Sequence, residues 1–330
     1  MRQLPIMTII SSCTLSTLKV AAKSLRLGNL VAFPTETVYG LGADATNKDA
    51  VARIYDVKGR PTGHPLIVHI SSINNLDKWA QQIPEYAITL ARSFWPGPMT
   101  IILPRTELAQ DYITGGQDNV GIRVPSHPLA LSLLKEFEAL GGLGIAAPSA
   151  NRFGKVSPTS AQAVQEELSE YLTPDDLILD GGPCQIGIES TIIDCTKQTP
   201  QILRPGGITQ EQIAALINLE LDKNKKSYTH SDDVKAPGLL ESHYSPKAKV
   251  FLSGTPQPGD GFLALSSIDT PKGAIRLATP VSDEEYARQL YSAFRLADSK
   301  KLERIFAVPL ENEGIAVAIN NRLSKAAHQV

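Results

Sequence analysis

Short apolar runs, each beside a Gly- or Pro-rich loop, recur along the first two-thirds of this chain. The loops carry polar or basic residues, among them Arg60, His69, Arg123 and Arg204. The segments concerned are PTETVYGLGADA (34–45), KGRPTGHPLIVHI (58–70), WPGPMTIIL (95–103), VGIRVP (120–125), APSANRFGKVSPT (147–159), GIESTIIDC (187–195) and LRPGG (203–207). Loops on a rigid scaffold are where binding and catalysis usually occur. The pattern therefore predicts one anion-binding groove, built where several strands end.

Length and composition indicate a globular protein of two domains. The chain has 330 residues, of which 42% are apolar and 20% are charged. A single hydrophobic core stops growing at roughly 250–300 residues. The formal net charge is −2, so the overall charge does not attract nucleic acid or an anionic membrane. Any basic site must be local.

The cysteine count and the hydropathy exclude several classes of protein. Cys13, Cys184 and Cys195 are far apart and form no CxxC motif, which argues against a disulfide framework and against a structural zinc site. No run reaches the roughly 18 apolar residues of a membrane span. The N-terminal apolar patch is too short for a signal peptide. We therefore expect a cytoplasmic protein with buried thiols and no membrane contact.

Strand and helix signals alternate over residues 15–221. Strands are predicted from apolar runs at 30–33, 65–70, 99–103, 120–124, 143–147, 177–180, 190–194 and 201–204. Helices are predicted at 16–27, at 49–58 behind Asn47, at 84–94 with Pro84 in its first position, at 127–140, at 160–168 behind a Thr159–Gln162 capping box, and from Thr209 to about Leu219. Several strands follow one another directly. This order favours a mixed α/β sheet flanked by helices over a purely doubly wound sheet.

Residues 222–247 differ from what precedes them. They are polar, contain a cationic run and show no periodicity, which predicts an interdomain linker, with KNKK as a solvated hinge. Because a Gly- and Pro-containing stretch leads to the tyrosine-bearing motif HYSP, we also expect residues 222–244 to act as a lid hinge.

The remaining residues predict a second, smaller α/β unit. Strand signals occur at 249–254, 261–267 and 304–310, and helix signals at 283–298 and 314–327. Such a unit of about 85 residues is enough for a small Rossmann-like domain. The predicted organisation is an N-terminal extension at 1–14, a large domain at 15–221, the linker at 222–247 and the C-terminal domain at 248–330.

Several common motifs are missing from the sequence. There is no GxxxxGK[ST] phosphate loop and no HExxH. The glycines at 40–45 and 141–146 do not complete GxGxxG, so a dinucleotide fingerprint is not supported. Ser149 lies in APSAN rather than GxSxG, which argues against a hydrolase nucleophile. Any nucleotide must be bound by another architecture.

The cationic residues of the groove each have a structural alternative. Arg60 can grip phosphate or carboxylate oxygens in a bidentate manner, with Lys58 as a mobile point charge, but a KGR turn is also an ordinary surface feature. Arg123 lies inside an apolar strand, where a charge is costly unless paired. It is therefore either a ligand-binding residue or half of a structural ion pair.

The polar residues of the other loops are less specific on their own. Ser149, Asn151 and Ser157 follow a strand and can bind phosphate without formal charge, although caps and turns use the same residue types. Ser190 opens one strand and Arg204 closes the next, and Glu189 is placed to neutralise a groove arginine.

Four further residues adjoin the same loops. His69 is either a satisfied core histidine or a ligand-binding residue. Thr35 and Thr37 flank Glu36 and are suitable donors for a small polar ligand. Tyr39 can offer an aromatic face or pack in the core.

Taken in order, these segments resemble the YrdC-like family. APGLLESHYSP followed by an α/β unit resembles the long, two-domain form of that family. The resemblance implies an open, twisted mixed α/β sheet with a concave, positive groove. It also implies a nucleotidyltransferase that converts L-threonine, bicarbonate and ATP, with Mg²⁺ on the triphosphate, into threonylcarbamoyl-AMP and pyrophosphate. The product would pass to the machinery that threonylcarbamoylates an adenosine of tRNA, and a weak contact with RNA is expected.

The resemblance also implies roles for individual residues. Residues expected on the threonine side are Thr37, His69, Arg123, Ala147 through its backbone, and Ser190. Residues expected on the ATP side are Lys58, Arg60, His64, Asn119, Ser149, Asn151, Ser157, Arg204 and Tyr244. His64 and Asn119 depart from the Asn and Thr that the family pattern leads us to expect, but both remain hydrogen-bonding types.

The implied chemistry agrees with these residue types. The threonine amine and bicarbonate form a carbamate, whose oxygen attacks the α-phosphate, so the main task is to hold two anions together. No covalent nucleophile is expected, and no metal ligand from the protein is assigned. The proton acceptor for the threonine ammonium is either His69 or bound water or bicarbonate.

Two other functions compete with this interpretation. A concave basic groove could bind double-stranded RNA without catalysis, although the near-neutral charge and the hydroxyl-rich loops argue against that as the primary role. A carbamoyl-transfer enzyme of the same fold, as in hydrogenase maturation, would need zinc-finger and acylphosphatase modules, for which this chain has neither CxxC pairs nor room.

Overall fold

A computed structural model describes residues 9–10, 14–217, 234–238 and 244–327. Strands β1–β14 are Ile9–Ile10, Val31–Phe33, Gly40–Asp44, Ile67–His69, Met99–Pro104, Asn119–Arg123, Ile145–Ala146, Leu177–Leu179, Thr191–Asp194, Gln201–Arg204, Lys249–Phe251, Gly261–Leu263, Ile275–Ala278 and Arg304–Ala307. Helices α1–α10 are Leu15–Arg26, Lys48–Lys58, Leu76–Trp79, Glu85–Phe94, Asp111–Thr114, Pro128–Ala139, Ala161–Leu168, Gln210–Ile217, Asp283–Ser299 and Ala316–Ala327. Each predicted helix and strand is present, several of them shorter than predicted.

The larger part of the described chain is built on one mixed sheet. Its ten strands run in the order β1-β8-β2-β3-β7-β4-β6-β5-β9-β10. Strands β4 and β6 are parallel, as are β5 and β9, whereas β2/β3 and β5/β6 are antiparallel. The predicted mixed α/β class is therefore confirmed.

Two predictions about how helices begin are wrong, namely Pro84 as a first helical residue and the Thr159–Gln162 capping box. Pro84 has an extended conformation and precedes α4, which begins at Glu85, so it is not the first helical residue. The cap of α7 is Ser160, whose hydroxyl accepts the amide of Ala163 at 3.2 Å, rather than Thr159. The predicted capping box therefore does not form. Asn47, in contrast, caps α2 as predicted.

Strand β3 was expected to be part of a loop. All five of its residues are buried, and it pairs antiparallel with β2 and β7. A Cβ at Gly42 would lie 2.8 Å from side-chain carbons of both Phe33 and Ile145. Small residues are thus required because neighbouring side chains cross directly over this strand. The strand therefore lacks the β-branched and aromatic residues by which strands are usually recognised.

The two faces of the large sheet are covered differently. Helices α2, α4 and α7 pack on one face and form the main core with residues such as Val68 and Ile122. Helices α1 and α6 cover part of the other face, around Phe33 and Ile145. Further along that second face, Ile67 and Ile192 pack against Val234. Between these two covered regions, polar residues of β4 and β6 face a cavity.

The C-terminal residues form a separate sheet, which is fully parallel. Its order is β11-β14-β12-β13, and α9 and α10 pack on it, as expected of a Rossmann-like unit. Asp283 lies in the first turn of α9, as predicted. Strand β13 was not predicted. The core of this unit also includes Val38, Val156 and Ile188 from the larger part of the chain, so the two sheets share a packed boundary.

Much of the predicted linker lies outside the described residues, including 222–233 and 239–243, and so does most of the predicted lid hinge. The extension at 1–14 and the C-terminal end of the predicted 209–219 helix are also largely outside them. Of the linker, residues 234–238 and 244–247 are described, and Val234, Ala236 and Tyr244 are buried. The domain boundaries remain predictions.

None of the helices in the described part of the chain has both the length and the apolarity to cross a membrane.

Candidate functional site

Strand alternation places two predicted site residues side by side. Successive residues of a strand face opposite sides of a sheet, and Val68 and Ile122 belong to the helix-covered core. His69 and Arg123 therefore face the other side. They are register partners on the parallel strands β4 and β6, and both are buried, with 3% and 4% of their surface exposed.

A cavity on this face gathers most of the residues predicted from the sequence. The predicted residues that line it are Thr37, Lys58, Arg60, His69, Arg123, Ala147, Ser149, Asn151, Ser190, Arg204 and Tyr244. They come from loops and strand ends that are far apart in the sequence. The residues that the sequence assigned to one groove thus line one cavity.

Three predicted residues lie beside this cavity rather than on its wall. Asn119 lines a small neighbouring cavity that shares Ile67 and Pro237 with the main one. The His64 ring packs edge-on against Phe153, which lines the main cavity, at 5.3 Å between ring centroids. Ser157 is fully buried and donates a 2.6 Å hydrogen bond to Glu189. Their ligand-binding roles remain predictions.

Arg123 lines the cavity and is also part of an ion pair. Its Nη2 donates to Glu36 Oε1 at 2.6 Å and its Nη1 to Thr37 Oγ1 at 3.0 Å, and its Nε donates to the carbonyl of Gly97 at 3.3 Å. The second carboxylate oxygen of Glu36 accepts the amide of Ser126. A structural ion pair and a ligand-binding role for Arg123 are therefore compatible, because the pair with Glu36 fixes the guanidinium of a residue that also lines the cavity.

His69 is neutral in this environment. Burial, with a further contribution from the nearby Arg123 charge, lowers the pKa of its imidazole to about 3. Its Nδ1 is buried and has no hydrogen-bond partner among the described residues. An imidazole of this kind can exchange a hydrogen bond with a ligand in the cavity.

Lys58 does not behave as the mobile charge that the sequence suggested. It is buried, and its Nζ donates to the carbonyls of Ser149 and Asn151 at 2.6 and 2.5 Å. Burial, reinforced by the Arg60 charge, lowers the pKa of Lys58 well below its usual value. Lys58 therefore fixes the loop that carries Ser149, and its own position is fixed in turn.

Asn151 is held in the same loop. Its Nδ2 donates to the carbonyls of Arg152 and Lys155, both at 2.8 Å. Its Oδ1 is left buried without a partner among the described residues. This orphaned acceptor on the cavity wall is available to a ligand.

Arg60 is anchored through one edge of its guanidinium. Its Nη2 donates to the carbonyl of Pro65 at 2.9 Å, and the guanidinium lies 5.7 Å from the ring centroid of Phe153. Burial lowers its pKa to about 10, so Arg60 remains a cation at neutral pH.

Ser190 and Arg204 bond to each other across the end of the sheet. Arg204 donates through Nε and Nη2 to the Ser190 carbonyl at 3.1 and 2.9 Å, and Nη2 also lies 3.2 Å from Ser190 Oγ. The Ser190 hydroxyl further exchanges a 2.8 Å hydrogen bond with Thr100. The residues expected on the threonine side and on the ATP side therefore meet at this point.

Glu189 also lines the cavity, and its partners include residues of the C-terminal unit. Arg322 Nε donates to Glu189 Oε2 at 2.9 Å, and the Tyr291 hydroxyl lies 2.9 and 3.1 Å from the two carboxylate oxygens. The sequence suggested that Glu189 neutralises a groove arginine, and it lies near Arg204. The arginine that bonds it directly, however, is Arg322.

Tyr244 lines the cavity, as do Pro237 and Gly238. Only 1% of its surface is exposed. Its ring stacks on that of Tyr291 at 5.8 Å between centroids. Burial, with the Glu189 charge, raises its pKa.

Some lining residues were not assigned a site role from the sequence, including Val38, Gly40, Phe153, Pro237 and Gly238. All five lie in segments quoted above, with Pro237 and Gly238 in APGLLESHYSP, so membership of those segments was the available signal. No signal in the sequence linked Glu36 to Arg123 or Arg322 to Glu189, because those contacts depend on the tertiary fold.

The described residues contain no cluster of three or more His, Cys, Asp or Glu side chains that could hold a metal ion. Cys184 and Cys195 are buried free thiols, as predicted, and burial raises the pKa of Cys184 to about 12. Cys13 lies outside the described residues. A thiol that is protonated at neutral pH is not a nucleophile.

Both parts of the chain match known protein families. A family model described as "Telomere recombination" matches residues 23–206, and one described as "Threonylcarbamoyl-AMP synthase, C-terminal domain" matches residues 208–328.

Known relatives are similar over nearly the whole chain. The threonylcarbamoyl-AMP synthase of Pyrococcus abyssi is 42% identical over 326 residues, covering 94% of each chain. That of Bacillus subtilis is 42% identical over 327 residues, covering 93% of this chain and 92% of the relative. A crystal structure of P. abyssi Sua5 complexed with L-threonine superposes with a TM-score of 0.84 at 39% identity, covering 97% of both chains. The similarity thus includes the C-terminal unit as well as the part that bears the cavity.

Proposed function

The chain belongs to the threonylcarbamoyl-AMP synthase family, and we propose that its buried basic cavity is where L-threonine, bicarbonate and ATP give threonylcarbamoyl-AMP and pyrophosphate. It is an enzyme of the nucleotidyltransferase type, and L-threonine is its substrate. The observation that carries the assignment to this cavity is that Arg60, Arg123 and Arg204, which are distant in the sequence, line the same cavity.

The reaction requires two negatively charged partners to meet. The threonine amine adds to bicarbonate with loss of water, which gives a carbamate, and a carbamate oxygen then attacks the α-phosphate and expels pyrophosphate. The described residues of the cavity wall include three arginines, Arg60, Arg123 and Arg204, and a single carboxylate, that of Glu189. Fixed cations in a water-poor site stabilise converging anions without reorganising during the reaction. No covalent nucleophile is needed.

We place threonine at the His69–Arg123 end of the cavity. The Arg123 guanidinium is already oriented by Glu36 and Thr37, so it can bind a carboxylate with little loss of side-chain entropy. Ser190 Oγ and the backbone of Ala147 are the proposed partners for the rest of the amino acid, and both residues line the cavity.

We place the triphosphate at the Arg60–Arg204 end. The loop fixed by Lys58 presents Ser149 and the unpartnered Oδ1 of Asn151 there. Hydroxyl and amide groups of this kind bind phosphate oxygens or the hydrated cation that accompanies them. His64, Asn119 and Ser157 adjoin this end and keep their proposed roles on the ATP side.

The pKa of His69 bears on the proton acceptor. A group whose pKa is about 3 holds a proton far less well than an amino group, whose pKa is near 8. We therefore propose that His69 orients the threonine amine by a hydrogen bond. The ammonium proton then leaves on bicarbonate or a bound water, which favours the second of the two predicted acceptors.

Magnesium fits this site as an ion carried by ATP. The described residues offer no carboxylate cluster, and Mg²⁺ in nucleotide sites is commonly bound through phosphates and water with few protein ligands. Asn151 Oδ1, an orphaned hard oxygen on the wall, is the residue we propose to face it. When bound, the ion would neutralise charge on the phosphates.

A chelator distinguishes this arrangement from a resident metal. Excess EDTA should abolish pyrophosphate release, and added Mg²⁺ should restore it, while the melting temperature of the ligand-free protein stays unchanged. A fall in melting temperature on chelation would instead indicate a structural metal.

The product would pass to the enzymes that modify tRNA, and we propose a cytoplasmic location with, at most, weak RNA contact. The arginines of the cavity have 4–7% of their surface exposed. A nucleic-acid duplex, whose phosphates must touch cations directly, cannot reach side chains that deep. The burial of these arginines thus favours small ligands over the double-stranded RNA alternative.

The proposed activity is tested by pyrophosphate release in the presence of ATP, Mg²⁺ and bicarbonate, with each amino acid added in turn. Release should depend on bicarbonate and be fastest with L-threonine, and mass spectrometry should detect the threonylcarbamoyl adenylate. Equal release with serine and valine, or release without bicarbonate, would contradict the proposal.

A further inference from the structure

The C-terminal unit contributes side chains that contact the wall of the cavity. Glu189 lines the cavity and immediately precedes Ser190, and three side chains donate to its carboxylate. Ser157 comes from the same half of the chain, whereas Tyr291 lies on α9 and Arg322 on α10. Each of the two C-terminal donors is buried, with no exposed surface.

Arg322 connects two loops that flank the Ser190–Arg204 contact. Its Nε bonds Glu189, directly before Ser190, and its Nη1 donates at 2.8 Å to the carbonyl of Pro205, directly after Arg204. The loops are in close contact, since a Cβ on Gly206 would lie 2.3 Å from the amide nitrogen of Thr191. One C-terminal guanidinium therefore ties together both sides of the place where Arg204 enters the cavity.

The same two C-terminal helices also contact Tyr244 and Gly238 of the cavity wall. The Arg322 guanidinium lies 5.2 Å from the ring centroid of Tyr244, and the Tyr291 ring stacks on that of Tyr244. One turn further along α10, Lys325 Nζ donates to the carbonyl of Gly238 at 2.6 Å. Both Tyr244 and Gly238 line the cavity.

The electrostatics of this cluster depend on the C-terminal arginine. Burial alone would raise the pKa of Glu189, but Arg322, then Arg204 and the Ser157 hydrogen bond, lower it to about 2. The Arg322 pKa is raised in turn by its neighbours, Tyr244 and Glu189. Glu189 therefore stays ionised, and an ionised carboxylate can accept the bonds of Ser157 and Tyr291 simultaneously.

We propose that Arg322 and Tyr291 are positioning residues, through which the C-terminal unit sets the geometry of the ATP side of the cavity. They touch no substrate in this scheme and act through Glu189, Arg204 and Tyr244. This inference rests on the proposed function, since it assumes that ATP binds in the cavity. It gives the C-terminal unit a direct part in nucleotide binding in addition to its packing.

Helix α9 supplies a matched pair of substitutions that tests the proposal. Tyr291→Phe removes the hydroxyl that bonds Glu189. Tyr286→Phe removes an equally buried hydroxyl five residues earlier on α9, whose hydrogen-bond partners among the described residues are the carbonyls of Val308 and Leu263 inside the C-terminal unit. The KM values for ATP and threonine, the melting temperature and the Kd of a non-hydrolysable ATP analogue are measured for each.

Tyr291→Phe should raise the KM and Kd for the nucleotide roughly three- to tenfold, the effect of removing one net hydrogen bond, and should change the KM for threonine less than twofold. Tyr286→Phe should leave all of these constants unchanged, whatever it does to the melting temperature. Equal nucleotide constants for the two variants, with similar losses of melting temperature, would show that the network only joins the two units and would overturn the proposal.

Arg322→Lys provides a graded second test. It keeps a positive charge near Glu189 but cannot bond Glu189 and the Pro205 carbonyl as the arginine fork does. We expect it to weaken nucleotide binding more than Tyr291→Phe does, and unchanged binding in a folded Arg322→Lys protein would refute the proposal. If the wild-type protein binds no nucleotide, the proposed function itself is wrong. If the wild type binds and the variants match Tyr286→Phe, only the positioning role is wrong.

Discussion

Replacing Arg123 by alanine removes a proposed threonine ligand and one half of a buried ion pair. Arg123 and Glu36 are 2.6 Å apart, and their side chains have 5% and 3% of their surface exposed. The substitution therefore leaves the Glu36 carboxylate buried with the Ser126 amide as its remaining bond. Two separate losses follow, one of stability and one of function.

The sizes of the two losses can be estimated. Removing one partner of a buried ion pair costs about 3–5 kcal/mol, against a total unfolding free energy of about 5–15 kcal/mol. A lost hydrogen bond to a charged ligand costs about 1.5–3 kcal/mol, which corresponds to roughly a ten- to hundredfold fall in kcat/KM for threonine. Arg123→Ala should thus be folded but substantially less stable.

A double variant separates the two losses. Glu36→Gln with Arg123→Ala removes the unpaired charge and keeps an acceptor for Ser126, so it should regain part of the unfolding free energy without regaining threonine use. Arg53→Ala is a suitable control, because it breaks the 2.6 Å Arg53–Asp176 pair, which does not border the cavity. It should lower stability and leave kcat/KM for threonine unchanged.

The assays are urea unfolding followed by circular dichroism, and pyrophosphate release at limiting threonine, at a temperature where every variant is folded. If the folded Arg123→Ala protein keeps wild-type kcat/KM for threonine, the ion pair is purely structural and the assignment of the threonine end is wrong.

Three other predictions follow from the same site. Arg60→Ala should raise the KM for ATP at least tenfold with little change in the KM for threonine, because its free guanidinium edge faces the proposed triphosphate; equal changes in both constants would argue against separate ends. Since the pKa of His69 is about 3, the pH profile of kcat/KM for threonine should show no ionisation of His69 between about pH 6 and 8. An ionisation near pH 6.5 that disappears in His69→Gln would contradict the low pKa of His69. The pKa of Glu189 is about 2 in the folded protein and near 4.3 in the unfolded chain, so its ionised carboxylate adds stability above about pH 4.3 that is lost as the pH falls towards 2. The urea midpoint of Glu189→Gln should therefore fall less than that of the wild type between pH 5 and 2.5. Parallel curves of urea midpoint against pH would refute the assigned pKa.

Much of the large sheet could be predicted because its strands follow ordinary rules. Runs such as residues 99–103 are apolar, β-branched and bounded by Gly and Pro, and amphipathic helices with caps such as Asn47 lie between them. Strand β3 could not be found this way, because Gly and Ala in GLGAD have low strand propensity. The small residues of β3 are required by close packing against Phe33 and Ile145, and this packing is visible only in the folded sheet.

Residues of the candidate site could be predicted where the sequence places a charged side chain in an apolar element, because such a charge destabilises the fold unless it is paired or binds a ligand. Arg123 in an apolar strand is such a case, and it does line the cavity. Its partner Glu36 lies 87 residues away, and no local pattern joins the two. Lys58 shows the limit in another way, because the sequence marks it as a cation but cannot show that two carbonyls hold it.

The C-terminal contribution was the least predictable part of the site. Arg322 and Tyr291 lie on amphipathic helices, where a charged or aromatic residue has many ordinary explanations. Their contacts with Glu189 span more than 100 residues of sequence, and they depend on how the two sheets pack together. Local sequence patterns do not predict how the two sheets pack.

The central claim is that one cationic cavity holds a triphosphate and an amino acid next to each other. A crystal structure of this chain with L-threonine and a non-hydrolysable ATP analogue tests it directly. The claim predicts the threonine carboxylate at Arg123, the phosphates at Arg60 and Arg204, and the amine facing the α-phosphate. Ligands bound in separate places, or density that touches none of these arginines, would contradict it.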